Sequence, residues 1–245
     1  KGIFLKENII LLKNELTSKI KNLMKSNYIY KPNREIPTYS YTAQNNISYA
    51  RKAKGIEYII AIGTSTGGPK ALQDVICPLP HDIPASVFIV QHMPSGFTKS
   101  LADRLNNISN IRVKEAENGE IAKPGYAYIA PGEYHMEVTN KNGEYEIITN
   151  QKPFVSGHRP SVNVMMDSLV NLNNNKIIAV IMTGMGSDGK DGIKRIKKAG
   201  GKTIAQNEET CVVYGMPKSA IEAGAIDIIL PLKDISKQIL RYMEV

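Results

Sequence analysis

Residues 57–69 read EYIIAIGTSTGGP, an apolar run that passes directly into a glycine-rich turn. We predict that Glu57–Ile62 is a strand, because strands buried on both faces of a parallel sheet are rich in Ile and Val. The residues that follow, Pro69–Ile76, have the pattern of a helix. This stretch therefore predicts a strand, a tight turn and a helix, which is the repeating unit of an α/β domain.

The same alternation continues towards the C-terminus. Further strands are predicted at Ala85–Val90, Lys176–Met182, Thr203–Ala205 and Ile226–Leu230. Further helices are predicted at Thr98–Asn106, Val162–Leu172, Asp191–Ala199 and Pro217–Ala223. The segment Tyr126–Thr149, with Asn142 and Gly143 at its turn, is predicted to be an antiparallel insertion. The fold class is therefore α/β: a doubly wound, mostly parallel sheet in a Rossmann-like, three-layer arrangement, with a small antiparallel hairpin insertion.

Three of the predicted strands end in residues that can carry chemistry. The first ends in GTSTGG, which contains Ser65 and fits the G-x-S-x-G turn that projects a nucleophilic serine. The second ends in QHMP, with His92, and the third ends in TGMGSDG, with Asp188. Ligands of open α/β sheets bind beyond the carboxyl ends of the strands, so we expect these three residues to converge there.

A serine, a histidine and a carboxylate together form a catalytic triad. The serine hydroxyl is a weak nucleophile until a neutral imidazole takes its proton, and the carboxylate orients the imidazole and stabilises its cation. Each residue alone has an ordinary structural explanation, such as a phosphate-binding loop, a structural histidine or a local Asx turn. Their position at three strand ends favours catalytic roles for Ser65, His92 and Asp188.

The same residues do not fit two nucleotide-binding motifs, and their order disfavours a typical α/β-hydrolase. A dinucleotide-binding turn needs glycine at position 65 and an acidic residue after the second strand, where Gln91 and His92 stand. A P-loop needs lysine after Gly68, where Pro69 stands. A typical α/β-hydrolase presents its triad in the order Ser, Asp, His, whereas the order here is Ser, His, Asp.

An oxyanion hole for such a triad needs backbone N–H groups beside the nucleophile. Thr66, the residue after the serine, is the first candidate donor. Met185 is the second, although its loop could equally serve only to position Asp188. Of the other histidines, His81 is expected to be exposed at the opposite edge of the sheet. His135 and His158 are expected to be structural or to contact a substrate.

Charge and composition exclude other classes of function. Residues 1–54 hold 11 Lys or Arg and 3 Glu, whereas residues 55–245 hold 20 residues of each sign. The body is therefore neutral, and neither a zinc-finger spacing nor an aromatic RNA-binding motif indicates a nucleic-acid partner.

Cys77 and Cys211 fit neither a disulfide framework nor a metal site, so we predict reduced thiols, no metal and a cytoplasmic protein. No apolar run is long enough to predict membrane insertion.

The leading 54 residues differ from the body. Apolar residues recur at helical spacing between Ile9 and Met24, and residues 26–54 are polar and basic. We therefore predict a helix within residues 1–25, a linker over residues 26–54 and a catalytic domain over residues 55–245.

The body resembles the chemotaxis protein-glutamate methylesterases, the CheB family. The resemblance covers roughly residues 56–240. It rests on the blocks IAIGTSTGGP, IVQHMPSGFT, VKEAENGE, AYIAPGEYHMEV, HRPSVNV, IMTGMGSDG and IAQNEETCVVYGMPKSAI. The family's serine, histidine and aspartate fall on Ser65, His92 and Asp188. Thr64 and Ser187 stand where Ala and Asn are common in the family.

The resemblance implies a serine hydrolase that removes methyl esters from glutamates on the cytoplasmic helices of chemoreceptors. It also implies deamidation of receptor glutamines in many members, through the same acyl-enzyme and without a cofactor. Family members usually carry an N-terminal receiver domain, controlled by a histidine kinase, which covers the active site. We expect the helix in residues 1–25 to be a remnant of that domain, although a native protein without a receiver fits as well. The alternative is a non-catalytic module that binds receptor helices or nucleotides in the same cleft.

Overall fold

A computed structural model describes residues 55–172, 174 and 176–243. The strands in these residues are β1 (Tyr58–Thr64), β2 (Ala85–Gln91), β3 (Arg112–Glu115), β4 (Tyr126–Ile129), β5 (His135–Lys141), β6 (Glu144–Asn150), β7 (Ile177–Ile181), β8 (Lys202–Gln206) and β9 (Ile228–Leu230). The helices are α1 (Gly68–Ile76), α2 (Phe97–Ile108), α3 (Val162–Val170), α4 (Lys190–Lys198), α5 (Met216–Glu222) and α6 (Leu232–Tyr242), with a 3₁₀ turn at Glu208–Thr210. The predicted leader helix and linker lie outside the described residues.

Seven strands form one parallel sheet in the order β3-β4-β2-β1-β7-β8-β9. β1 is the first and the central strand of this sheet. The next strands in the chain that join the sheet lie on the β2 side of β1, and the later strands, from β7 onwards, lie on its other side. The direction of winding therefore reverses between β1 and β7. In doubly wound sheets this reversal opens a crevice at the carboxyl edge, where ligands bind.

The helices cover both faces of the sheet. Alternate strand residues such as Ile60 and Val87 pack with α1, α2 and α6 in one buried apolar cluster. The intervening residues, such as Ile59 and Phe88, pack with α3, α4, α5 and the β5–β6 hairpin in a second cluster. The predicted three-layer, doubly wound architecture with an antiparallel hairpin is therefore confirmed.

The prediction that Tyr126–Thr149 is antiparallel throughout is wrong at its start. Tyr126–Ile129 is β4, which pairs in parallel with β2 on one side and β3 on the other. The hairpin itself begins at His135 and turns at Asn142 and Gly143, as predicted. β3 was not predicted, because Val113 is the single apolar residue in this short edge strand and gives no apolar run.

The described residues include no helix that is both long enough and apolar enough to cross a bilayer.

Candidate active site

The three residues predicted as a triad all lie at the carboxyl edge of the sheet. Ser65 directly follows β1, His92 directly follows β2, and the loop after β7 carries Asp188. The strands β2, β1 and β7 are neighbours and run parallel, so their ends meet. The backbone N–H of His92 donates to the carbonyl of Thr64 at 3.1 Å and joins two of these ends.

A tight turn carries Ser65 from the end of β1 into α1. Gly67 adopts a φ of +84°, in the left-handed region that favours glycine. The backbone N–H of Ser65 donates to the carbonyl of Thr183 at 3.0 Å, which holds the turn against the loop after β7. Ser65 remains partly exposed. The turn therefore fixes the serine backbone while leaving the residue accessible from solvent.

His92 and Asp188 form a buried pair. Nε2 of His92 lies 2.8 Å from Oδ2 of Asp188, and the side chains are 8% and 0% exposed. Because the carboxylate accepts the Nε2 proton, Nδ1 of the neutral imidazole carries the free lone pair. Nδ1 is buried and has no hydrogen-bond partner among the described residues. The pair therefore leaves one imidazole nitrogen hydrogen-bonded to Asp188 and the other without a partner among the described residues.

Within the described residues, Ser65 Oγ makes no hydrogen bond to His92. Hydrogen bonds of this kind are often long in unliganded enzymes and tighten when the substrate binds. The structure thus brings His92 and Asp188 into direct contact and places Ser65 at the end of the adjoining strand β1.

Asp188 accepts hydrogen bonds from the start of α3 and from the residue that follows it in the chain, as well as from His92. These other donors are Val162 N at 2.7 Å, Ser161 Oγ at 2.8 Å, Gly189 N at 3.0 Å and Asn163 N at 3.2 Å. Burial raises the pKa of Asp188, but hydrogen bonds from His92, Val162 and Ser161 outweigh burial and leave the pKa below its ordinary value. Asp188 is therefore held as a carboxylate and fixed in position.

His135 supports the hydrogen bonds at Asp188 indirectly, through Ser161. It is fully buried, its Nε2 lies 3.0 Å from the carbonyl of Pro153, and its Nδ1 accepts the backbone N–H of Ser161 at 3.2 Å. Both ring nitrogens are thus occupied by backbone groups. This agrees with the expected structural role, since the bond to Ser161 helps to set the residue that donates to Asp188.

His158 lies directly against the candidate base. Its ring stacks on that of His92 with centroids 3.8 Å apart and an angle of 6° between the planes. Burial, followed by the nearby charge of His92, lowers the pKa of His158. A neutral His158 therefore forms one wall of the site. His81, by contrast, is exposed at the opposite edge of the sheet, as predicted.

The candidate oxyanion donors Thr66 and Met185 lie in the turn after β1 and in the loop after β7. Among the described residues, neither backbone N–H has a hydrogen-bond partner, whereas the N–H of Ser65 is already bonded to Thr183. The hydroxyl of Thr183 donates to the carbonyl of Thr66 at 2.9 Å and so links the two segments. Thr66 and Met185 therefore remain the candidate donors to an anionic oxygen.

Sequence reasoning missed three residues that organise the site: Gln91, Ser161 and Thr183. All three are polar and at most 2% exposed. The available signal was their position, because Gln91 and Thr183 directly follow apolar strand residues and a buried polar group needs partners. Ser161, in the block HRPSVNV, gave no such signal.

Several large apolar side chains are exposed in the segments that follow strand ends. Six of the large hydrophobic residues exposed in the described part of the chain lie in the segments that follow β2, β4, β6, β7 and β8: Phe97, at the start of α2, and Tyr134, Phe154, Val155, Met185 and Val212. The most exposed are Met185 at 72% and Val212 at 69%. Apolar surface gathered around a cleft is typical of sites that bind another protein. We refer to these six residues as the apolar rim.

Neither metal nor disulfide chemistry is indicated by the described residues. No group of three or more His, Cys, Asp or Glu side chains among them could hold a metal ion. Cys77 and Cys211 are free thiols, and burial raises the pKa of both, that of Cys211 to about 11. Both thiols are therefore poor nucleophiles near neutral pH.

Comparison with known proteins gives consistent matches to one family. The family model for CheB methylesterase matches residues 60–239. A protein-glutamate methylesterase/protein-glutamine glutaminase of Archaeoglobus fulgidus is 50% identical over 194 residues, which cover 79% of this chain and 56% of that protein. The Geobacillus kaustophilus protein of the same name is 45% identical over 235 residues, 95% of this chain and 66% of its own length. The chain thus spans just over half to two thirds of these relatives.

A solved structure extends the match to the fold. The crystal structure of the Thermotoga maritima CheB methylesterase catalytic domain superposes with a TM-score of 0.74 and 46% sequence identity. The superposition covers 75% of this chain and 97% of the crystallised chain. Nearly the whole of that catalytic domain therefore has a counterpart here.

Proposed function

Because the chain belongs to the CheB methylesterase family, we propose that it is a serine hydrolase that cleaves the methyl esters of protein glutamates. Ser65 is the nucleophile, His92 the general base and Asp188 the residue that orients the base. The observation that carries this assignment is the buried His92–Asp188 pair, in which Nδ1 of His92 has no hydrogen-bond partner among the described residues.

Acylation begins when Nδ1 of His92 takes the proton of Ser65 Oγ. The oxygen attacks the ester carbonyl carbon, and the resulting oxyanion accepts hydrogen bonds from the backbone N–H groups of Thr66 and Met185. Collapse of this intermediate breaks the bond to the methoxy oxygen, which leaves as methanol with the proton from His92. The product is a glutamyl ester of Ser65.

Deacylation repeats these steps with water as the nucleophile. His92 takes a proton from water, the hydroxyl oxygen attacks the acyl carbon, and the proton returns to Ser65 Oγ as glutamate is released. The same sequence applied to a glutamine side chain would release ammonia in the first step. We therefore propose deamidation as a second activity of the same site, in line with the double name of the relatives.

The proposed partners follow from the family and are supported by the apolar rim. We propose that the substrate side chains lie on the cytoplasmic helices of chemoreceptors, that the protein acts in the cytoplasm, and that residues 55–245 form the catalytic domain. In the whole protein, a receiver domain in cis, phosphorylated by a histidine kinase, would regulate access through the linker of residues 26–54. Regulation of this kind requires that another protein surface can reach the site. The exposed apolar rim supports this requirement.

Methanol release separates this proposal from a non-catalytic module that binds receptor helices. Receptor membranes carrying radiolabelled methyl esters should release methanol when the purified chain is added, because the triad cleaves the acyl–oxygen bond. The control is the chain after treatment with a fluorophosphonate, which reacts with activated serines. Binding of receptor membranes without methanol release above the treated control would favour the binding module.

Gly184→Ala should lower kcat for a small ester by about 100-fold, since a shift of ~1 Å in a reacting group can cost that much. A Cβ at position 184 would lie 2.4 Å from Met216 Sδ and 2.8 Å from Ser65 Cβ, so it would displace the nucleophile. The matched control is Gly201→Ala, whose Cβ would lie 2.5 Å from Ile196 Cγ2 at the opposite edge of the sheet. Equal losses of kcat in the two folded variants would contradict the argument.

A further inference from the structure

Gln91, the last residue of β2, connects the backbones of the proposed nucleophile and base. Its side-chain Nε2 donates to the carbonyl of Ser65 at 3.0 Å and to the carbonyl of His92 at 2.9 Å. The residue is 2% exposed, so water does not compete for these bonds. Among the described residues, no other side chain bonds to the backbones of both Ser65 and His92.

The orientation of this amide is determined by its surroundings. Two carbonyl oxygens face the Nε2 end, and only the NH₂ group of an amide can donate to both. Oε1 is therefore turned the other way, where it is buried and has no hydrogen-bond partner among the described residues. A buried acceptor without a hydrogen-bond partner destabilises the folded protein. The protein tolerates this cost in a residue whose other end holds the two strand termini together.

Gly68 provides the space for this arrangement. A Cβ at position 68 would lie 1.9 Å from Gln91 Oε1 and 2.6 Å from Thr64 Oγ1. Any other residue there would therefore displace the amide. Gly68 is also the first residue of α1, so the unpaired oxygen lies next to a helix N-terminus, which carries partial positive charge. The last glycine of GTSTGG is thus required by the Gln91 side chain.

We propose that Gln91 is a positioning residue, whose amide sets the distance between Ser65 and His92 for proton transfer. The inference rests on the proposed function, in which these two residues exchange a proton. The carbonyl of Ser65 already accepts the N–H of Gly68 at 2.8 Å, which fixes the turn within its own segment. The amide of Gln91 adds a hydrogen bond from β2 to the residue that follows the neighbouring strand β1. The same amide fixes the peptide group that follows His92.

The test compares two substitutions at Gln91 with one elsewhere on the same strand. Gln91→Met keeps the length of the side chain and removes both donors, whereas Gln91→Glu keeps its shape and places oxygen against two carbonyls. The control is Ser86→Ala, which removes a buried hydrogen bond to the carbonyl of Lys123 at the opposite end of β2. For each protein we would measure the melting temperature, kcat and KM for p-nitrophenyl acetate, and the rate of Ser65 modification by a fluorophosphonate.

Both Gln91 variants are expected to lose about 10- to 100-fold in kcat and in modification rate, with KM changed by less than about twofold. Ser86→Ala should lower the melting temperature and leave kcat close to that of the unmodified chain. Unchanged kcat and modification rate in either folded Gln91 variant would overturn the inference, as would an equal loss of kcat in Ser86→Ala. An unmodified chain that neither cleaves the ester nor reacts with the probe would overturn the proposed function, and the inference with it.

Discussion

Ser65→Ala is expected to lower kcat for ester hydrolysis by at least about 10⁴-fold, because loss of one triad member removes most of the catalysis that the three supply together. Methyl-ester hydrolysis on receptor membranes and p-nitrophenyl acetate cleavage should both be lost. The melting temperature should change little, since the hydrogen bonds at this turn come from the backbone of Ser65 and not from its hydroxyl.

Ser187→Ala is the matched control for this substitution. Ser187 is exposed and directly precedes Asp188, so its replacement removes a hydroxyl from the same edge of the sheet. We expect kcat within about twofold of the unmodified chain, as for surface substitutions in general. A folded Ser65→Ala protein that hydrolyses the ester at the original rate would exclude Ser65 as the nucleophile.

Asp188→Asn should reduce kcat by about 10³- to 10⁴-fold, because an amide that replaces the carboxylate of a triad favours the wrong imidazole tautomer. It should also destabilise the fold by a few kcal/mol, because a buried acceptor of several hydrogen bonds becomes partly a donor facing donors. Ser161, Val162 and Asn163 all donate to this carboxylate, so the first turn of α3 should be disturbed as well. Chemical denaturation and ester hydrolysis measure the two effects separately.

The stability difference between the unmodified chain and Asp188→Asn should depend on pH. The folded protein lowers the pKa of Asp188, so the carboxylate contributes stability that is fully present above its unfolded pKa of ~3.9 and is lost as the pH falls through the lower folded value. The difference in unfolding free energy should therefore be largest near neutral pH and shrink below about pH 4. A difference that grows with acidity would contradict the role assigned to the hydrogen bonds at Asp188.

The parts of the fold that could be predicted from sequence are those with strong apolar runs. β1, β2 and β7 are buried on both faces and consist largely of Ile, Val and Ala, so their positions, and the residues that follow them, were apparent. The strand prediction failed where the apolar run was short. β4 is four residues long and lies close to a hairpin, and its parallel partners are fixed by tertiary pairing that local pattern does not encode.

The sequence likewise indicated the candidate site only in part. It pointed to the residues at the strand ends and not to the buried side chains that hold them. Ser65, His92 and Asp188 stand at strand ends, where residue type alone suggests chemistry. Gln91 was noticed solely as a mismatch to a nucleotide-binding motif, because its role depends on which carbonyls lie beside it. Ser161 reaches Asp188 across a separation of 27 residues. Such partnerships depend on side-chain geometry, which the spacing of residues along the chain does not specify.

The position of β1 at the centre of the sheet has a consequence for the order in which the protein can form during synthesis. β1 pairs with β2 soon after it in the chain, but its other edge pairs with β7, so that Ile59 lies opposite Ile177. At roughly 5–20 residues per second, the ribosome needs on the order of ten seconds to make the intervening segment. During that interval an apolar strand edge has no partner, and unpaired edges of this kind promote aggregation. The nascent chain therefore has a period of exposure to aggregation, which ends when β7 has been made and can pair with β1.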